Sequence, residues 1–325
     1  MKINLIAVQP KMELAHYKSA GAFEAKIVSL MEAAVRRVDL SLPTLVAFPE
    51  YLGMYLSFVP RYWEEVRSAT TLRAAVDRIV AGHAPNQAGR TSKRKTAQRL
   101  LFVERAIETE RAYTGAFSSL ARQHGVYIVA GSLCVPPMDE SPHRGGHFIQ
   151  DGSRVLGRSY VFSPAGLCIH RVSKVNIPEG EDRLIDPAPV NDLAPVAAKM
   201  GRIGVLLCFD GYHHSLIGRL DSQGADILVQ PLYFPNPDIR FDGSGKFVPK
   251  PWDFISLIQG RENIQYGIAA AQVGAVFEDQ RAQGLSFIAR NTGKPGLPWQ
   301  EAIVAMAEEP YGETIVAATV DTARR

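Results

Sequence analysis

The sequence predicts an α/β fold in layers around mixed β-sheet, and three observations carry that expectation. Short β-branched runs alternate with longer segments of helical period. Hairpin-type turn signals interrupt the alternation, so some strand pairs are antiparallel and the sheet is mixed. The composition, 46% hydrophobic and 21% charged over 325 residues with 27 Gly and 21 Pro, is that of a globular chain. No internal repeat or low-complexity linker divides the sequence, so residues 1–325 read as one domain.

Lys2–Gln9 is an apolar strand closed by Pro10. Over 20–38, Phe23, Ile27, Leu30, Met31, Ala34, Val35 and Val38 fall on one helical face. Thr44–Phe48 is a second strand, ended by Pro49 and followed by Glu50. A helical stretch running through Ala121 leads to a strand over 126–130, closed by Gly131 and Ser132. Residues 153–162 and 166–173 read as paired strands around the Pro164-Ala165-Gly166 turn. The strand–helix pattern then repeats: strand 203–207, helix 212–223, strand 226–229, helix 254–266 and strand 268–272. Strands over 286–289, 302–305 and 314–319 complete the chain.

Two segments break the pattern. Residues 83–111 carry Arg90, Lys93, Arg94, Lys95, Arg99, Arg105 and Arg111. They read as a basic surface insertion of helix and loop, with a basic interaction site as the alternative. Residues 231–252 are rich in Pro, Gly and Asp with interleaved aromatics, and read as a pocket wall or a surface loop.

Charge and motifs exclude several classes. A net charge of +3, from 36 basic and 33 acidic residues, is too small for a protein dominated by phosphate neutralisation, so no nucleic-acid partner is expected. No apolar run is long enough to span a membrane, and Met1–Val8 lacks the regions of a signal peptide. Cys134, Cys168 and Cys208 are odd in number and unpaired in spacing, which suits a reducing compartment; the expectation is a cytoplasmic enzyme. Gly-rich phosphate cradles, the Gly-x-Ser-x-Gly elbow, His-Glu-x-x-His and Cys-x-x-Cys are all absent, and no cofactor or metal is expected. His213 and His214 are adjacent and point apart on a helix, so they form no metal pair.

What remains is a cysteine at a strand end. Gly201 to Leu207 reads as an apolar run that delivers Cys208 to its carboxyl edge just before a helix, where α/β sheets gather their sites. The helix N-terminus there would favour thiolate. Cys134 and Cys168 lack this setting, and each reads as a small buried or hairpin residue. Glu50 after its strand and Lys174 after the run 170–173 would singly be a loop charge and a surface lysine. Together the three supply a nucleophile, a proton acceptor and a cation. A papain-like pairing fits worse, since only His213 and His214 follow Cys208, although His124 or His170 upstream could serve.

These residues lie in motifs that resemble the nitrilase superfamily of carbon–nitrogen hydrolases. Phe48-Pro49-Glu50 resembles its glutamate motif, Ser173-Lys174-Val175-Asn176-Ile177-Pro178 its lysine motif and Leu207-Cys208-Phe209-Asp210 its cysteine motif. The run 224–231, then Glu262-Asn263, Gly284-Leu285-Ser286 and Asn291-Thr292-Gly293, resemble later landmarks. The resemblance runs from Ile3 to near Thr319. It departs at Asn176, where many members carry histidine, at Arg261, which directly precedes Glu262, and at the basic insertion.

The resemblance implies an αββα sandwich of two mixed sheets flanked by helices, commonly packed as a homodimer. It implies Glu50, Lys174 and Cys208 as a catalytic triad, with a second glutamate after the lysine. Glu181 is chosen by spacing, with Glu179 as the alternative. Phe209, Tyr233 and Phe234 are the candidate substrate contacts. The implied activity is hydrolysis of a small carboxamide or N-carbamoyl compound through a cysteine thioester. The alternatives are nitrile hydrolysis and a non-catalytic oligomeric binding protein. An N-acyltransferase usually accompanies membrane segments, which this sequence lacks.

Overall fold

A computed structural model describes residues 1–83, 94–141, 146–149, 151–234 and 253–322. The first half of the chain runs β1 (Lys2–Gln9), α1 (Ala20–Val35), β2 (Thr44–Phe48), α2 (Trp63–Val66), α3 (Leu72–His83), α4 (Arg94–Glu104) and α5 (Ala106–His124). It continues through β3 (Tyr127–Ala130), β4 (Leu133–Val135), β5 (Met138–Ser141), β6 (Gly146–Ile149), β7 (Leu156–Phe162) and β8 (Cys168–Ser173). The second half contains β9 (Val196–Ala198), β10 (Gly201–Val205), α6 (His214–Ser222), β11 (Ile227–Leu232), α7 (Asp253–Ile258) and β12 (Tyr266–Ala271). It ends with β13 (Gly274–Ala275), β14 (Arg281–Ala282), β15 (Phe287–Arg290), α8 (Trp299–Ala302), β16 (Ile303–Met306) and β17 (Thr314–Asp321).

Two mixed sheets form the centre. The first has the order β17-β1-β2-β3-β7-β4, with β8 beside β7; the second has the order β16-β15-β12-β11-β10-β9. The β1–β2–β3 and β10–β11–β12 segments are parallel, and antiparallel strands flank them. Side-chain alternation explains the layering. Leu5, Ala7, Leu45, Ala47 and Val129 share one apolar cluster with Ile203, Val205, Val229 and Ile268, which joins sheet to sheet. The intervening Ile6, Val8, Val46, Phe48 and Ile128 pack with Phe23, Ile27 and Leu30 of α1 and with Phe117 and Leu120 of α5. On the far side, Leu216, Ile217 and Leu220 of α6 and Phe254 and Ile258 of α7 cover the second sheet. The result is the expected αββα sandwich, and parallel strands buried on both faces account for the continuous apolar runs in the sequence.

Several boundaries differ from the sequence reading. The helix expected over 254–266 stops at Ile258, because Gly260 adopts φ +72° and a side chain there would collide with Pro295. The strand expected at 268–272 therefore starts at Tyr266. The basic insertion is also more than a solvated surface. Its α4 buries Leu101 and Phe102 in the outer core, while Arg90 and Lys93 lie outside the described residues. Among the described residues no helix is long and apolar enough to cross a membrane.

Candidate active site

Three strand ends converge at the carboxyl edges of the parallel strands. Glu50 follows β2 after Pro49 and is completely buried. The neighbouring chain reversal is tight: Gly131, at φ +61°, passes so close that a Cβ would lie 2.0 Å from the Pro49 carbonyl oxygen. Ser132 then accepts from the Tyr51 amide through Oγ (2.9 Å) and from the Gly53 amide through its carbonyl (3.0 Å). Lys174 follows β8, its amide donating to Gly157 O and its carbonyl accepting from Ala188 N, both at 2.9 Å. At Gly157 a Cβ would lie 3.1 Å from Ile185 Cδ1 and in ordinary contact, 3.7 Å, with Lys174 Cβ, so the glycine lets Ile185 pack close beside the lysine stem.

The Lys174 ammonium is fully buried between two carboxylates. Its Nζ lies 2.9 Å from Glu50 Oε1 and 2.6 Å from Glu181 Oε2. Tyr51 donates its hydroxyl to the same Glu181 oxygen at 2.8 Å, and Nζ sits 5.5 Å from the Tyr51 ring centroid. Glu181 opens a short 3₁₀ turn, Glu181–Arg183, after Gly180 at φ +94°. Of the two glutamates considered from sequence, Glu181 meets the lysine, whereas Glu179 is exposed.

Cys208 begins the 3₁₀ turn Cys208–Tyr212 with φ +44°. Tyr51, at φ +56°, is the other non-glycine residue in the left-handed region among the described residues, so both strained positions border this site. Gln230 Nε2 donates to the Cys208 carbonyl at 2.8 Å, and Sγ approaches the Tyr233 carbonyl at 3.7 Å. Asp210 ties the cysteine turn to the lysine segment by accepting from the Val175 amide (2.9 Å) and the Asn176 amide (2.7 Å).

The electrostatics follow from burial. Desolvation raises the Glu50 pKa to about 8; Lys174 opposes the rise and Glu181 adds to it. The ammonium and the Cys208 thiol are close enough to favour the carboxylate, yet neither is well aligned, and both Glu50 oxygens lack a directed hydrogen-bond donor. For Lys174, burial opposes the charge, but Glu50 and Glu181 outweigh it and hold the pKa above that of an ordinary lysine. Burial pushes the Cys208 thiol well up and Glu50 pushes it further, with Lys174 pulling the other way. The thiol acidified by a helix N-terminus, expected from sequence, is therefore not what forms. Desolvation is the largest influence on the thiol, and α6 starts only at His214. Proton removal then has to come from a base.

The other predicted contacts are placed as follows. Tyr233 is buried, with its ring edge-on to Tyr51 at 5.8 Å. Phe209 is half-buried, edge-on to His213 at 4.8 Å. Phe234 is half-buried too, and the remainder of the aromatic-rich segment, 235–252, lies outside the described residues. Cys134 is buried and feels Glu50 and Glu181, while Cys168 lies on β8. Sequence reasoning missed Tyr51, Ser132 and Gln230 and quoted Asp210 only as part of a motif. The available signals were adjacency, Tyr51 next to Glu50 and Asp210 two residues after Cys208. Among the described residues no cluster of three His, Cys, Asp or Glu side chains is arranged to hold a metal ion.

Comparison with known proteins adds an independent line. The family described as carbon–nitrogen hydrolase matches residues 7–319. Deaminated glutathione amidase of Mus musculus is 22% identical over 205 residues, 60% of this chain and 55% of that protein. The nitrilase and fragile histidine triad fusion protein of Caenorhabditis elegans is 25% identical over 213 residues, 64% of this chain and 42% of that protein. The match thus spans about half the length of these curated relatives. Among solved structures, a carbon–nitrogen hydrolase from Helicobacter pylori and Nit3 of Saccharomyces cerevisiae superpose with TM-scores of 0.61 and 0.60. Each is 16% identical and covers 99% of this chain and 90% of its own. An amidase from Nesterenkonia sp. AN1 gives 0.55 at 12% identity, covering 99% and 93%.

Proposed function

The chain belongs to the carbon–nitrogen hydrolase family, with amidases among its relatives, and from that premise we propose that it hydrolyses a non-peptide C–N bond of a small carboxamide or N-carbamoyl compound. Glu50, Lys174 and Cys208 carry the reaction and Glu181 assists it. The single observation behind this reading is the fully buried Lys174 ammonium, held between Glu50 and Glu181 beside the strained Cys208. A buried charge of this kind is costly to a structure that makes no use of it.

The Glu50 carboxylate takes the thiol proton, which the raised thiol pKa makes necessary. The thiolate attacks the carbonyl carbon, and the electron pair of the C=O bond moves onto oxygen. The Lys174 ammonium and the backbone N–H after Cys208 stabilise that oxyanion; removing one such donor costs about 3 kcal/mol of barrier in comparable sites. As the C–N bond breaks, Glu50 returns the proton to the departing nitrogen, which leaves ammonia or amine and a thioester. Glu50 then deprotonates a water that attacks the thioester, and the thiol recovers its proton. In a glutamate-to-glutamine mutant of the Nesterenkonia amidase, acrylamide is joined to the active-site cysteine by Michael addition, an example of a nucleophilic cysteine on this fold. On this reading Phe209, Tyr233 and Phe234 contact the acyl part of the substrate. The chain acts as one catalytic unit over 1–325, in the cytoplasm, as a homodimer.

A panel of amides, N-carbamoyl amino acids and nitriles, assayed for ammonia release, tests the reading. Turnover is expected on an amide or carbamoyl substrate and its loss in Cys208→Ala. Preferential turnover of nitriles would reassign the substrate, and full turnover by Cys208→Ala would refute the mechanism.

A further inference from the structure

The basic insertion identified in the sequence has no place in the reaction just described, yet its helix packs onto the site's outer shell. α4 touches the 3₁₀ turn Met54–Ser57 that follows Glu50, the strand β4 that carries Cys134, and the turn Glu181–Arg183. Leu101 and Phe102 anchor the helix in the core. Arg99 then forms an ion pair with Asp186 in which the side chains are only 13% and 27% exposed. Asp182, within the glutamate turn, also acts on the same guanidinium.

Asp186 is well placed to pass this restraint on. The amides of Leu184 (2.8 Å) and Ile185 (3.1 Å) both donate to the Glu181 carbonyl, so the turn from 181 to 186 closes on itself. The Asp186 amide donates to Val155 O at 2.6 Å, and its Oδ2 accepts from Val155 N at 2.9 Å as well as from Arg99. Two residues on, Ala188 N bonds to the Lys174 carbonyl. Arg99 therefore fastens one side of a closed turn whose other side presents Glu181 to Lys174 and Tyr51.

We propose that Arg99, acting through Asp186, is a positioning residue that holds Glu181 against the Lys174 ammonium. The basic insertion is on this account a brace for the active site. The inference rests on the reading of Glu50, Lys174 and Cys208 as the catalytic set, and it predicts an electrostatic signature. Glu50 faces Lys174, Glu181 and Cys208, and Glu181 raises the proton affinity of both Glu50 and Cys208. If the brace is lost and Glu181 withdraws, Glu50 and Cys208 give up protons at lower pH. Loss of the Arg99 cation acting only through space would move them the opposite way. For variants that remove the Arg99 cation, the sign therefore separates positioning from a bare charge effect.

The test is the pH dependence of Cys208 alkylation by iodoacetamide in the full-length protein, read by peptide mass so that Cys134 and Cys168 do not interfere. Wild type, Arg99→Met, Arg99→Gln, Asp186→Asn and Glu50→Gln are compared. Arg99→Met and Asp186→Asn are expected to move the acid limb to lower pH. Each unit of movement accelerates labelling about tenfold at a fixed pH below the limb. Arg99→Gln, which removes the same cation and leaves a shorter neutral side chain, carries the test if Arg99→Met does not fold. Asp186→Asn keeps an acceptor for the Val155 amide but removes an anion, so it is read only beside an Arg99 variant. An unmoved limb, or one moved to higher pH, overturns the inference. If Glu50→Gln removes the limb while the Arg99 and Asp186 variants leave it in place, the positioning role alone fails. If Glu50→Gln leaves the wild-type limb intact, the catalytic reading fails with it.

Discussion

Glu50 shows how burial sets the chemistry of one residue. Its desolvation outweighs the neighbouring ammonium and lifts the pKa to about 8, so at neutral pH the base form is the minority. A general base acts only when ionised, so kcat/KM should rise with pH up to about 8 and fall as pH drops through that value. A pH–rate profile checks this, and Glu50→Gln should lose both the limb and most of the activity. A flat profile between pH 6 and 9 in the wild type would contradict the assignment. At this scale the sequence was legible where chemistry and strand ends coincide, as at Glu50, Lys174 and Cys208. It was not legible for Tyr51, whose hydroxyl partner Glu181 lies 130 positions away. Nor was the direction of the Cys208 shift, which depends on a burial that only the folded chain creates.

Among the elements, the strand ends matter because turns fix the direction of the side chains that follow them. Gly131 allows the link after β3 to press against Pro49, one residue before the proposed base, Glu50. Gly131→Ala would force a left-handed alanine into the Pro49 carbonyl and should cost at least about 2 kcal/mol, from backbone strain plus overpacking. It should also lower turnover by displacing Glu50. Thermal denaturation with a parallel ammonia assay checks both, and an alanine variant as stable as wild type would refute the close approach. The Gly131-Ser132 punctuation was readable as a strand end, but its contact with Pro49 and Tyr51 was not. The end of α7 at Gly260 was missed because the apolar period continues past the point where a left-handed residue breaks it. The helical part of the insertion was read as surface because charge masks Leu101 and Phe102, whose burial is tertiary.

For the whole molecule, the sandwich follows from two sheets that each bury both faces, and the strand order brings three distant segments of sequence to one edge. The alternation of strands and helices was visible in the sequence. The division into two sheets was legible through the family resemblance and not through the hydrophobic pattern, because continuous apolar strands look alike whichever sheet they join. The proposed homodimer belongs to this scale: sedimentation at micromolar concentration should give twice the 35.6 kDa chain mass, and a monomer would exclude it. The central claim, that Cys208 becomes covalently acylated with Glu50 as its base, is tested most directly by rapid quenching during turnover of an active amide, followed by intact and peptide mass measurement. The acyl increment should appear on the peptide containing Cys208 and vanish in Cys208→Ala together with ammonia release. Undiminished turnover with no mass increment at that cysteine would contradict it.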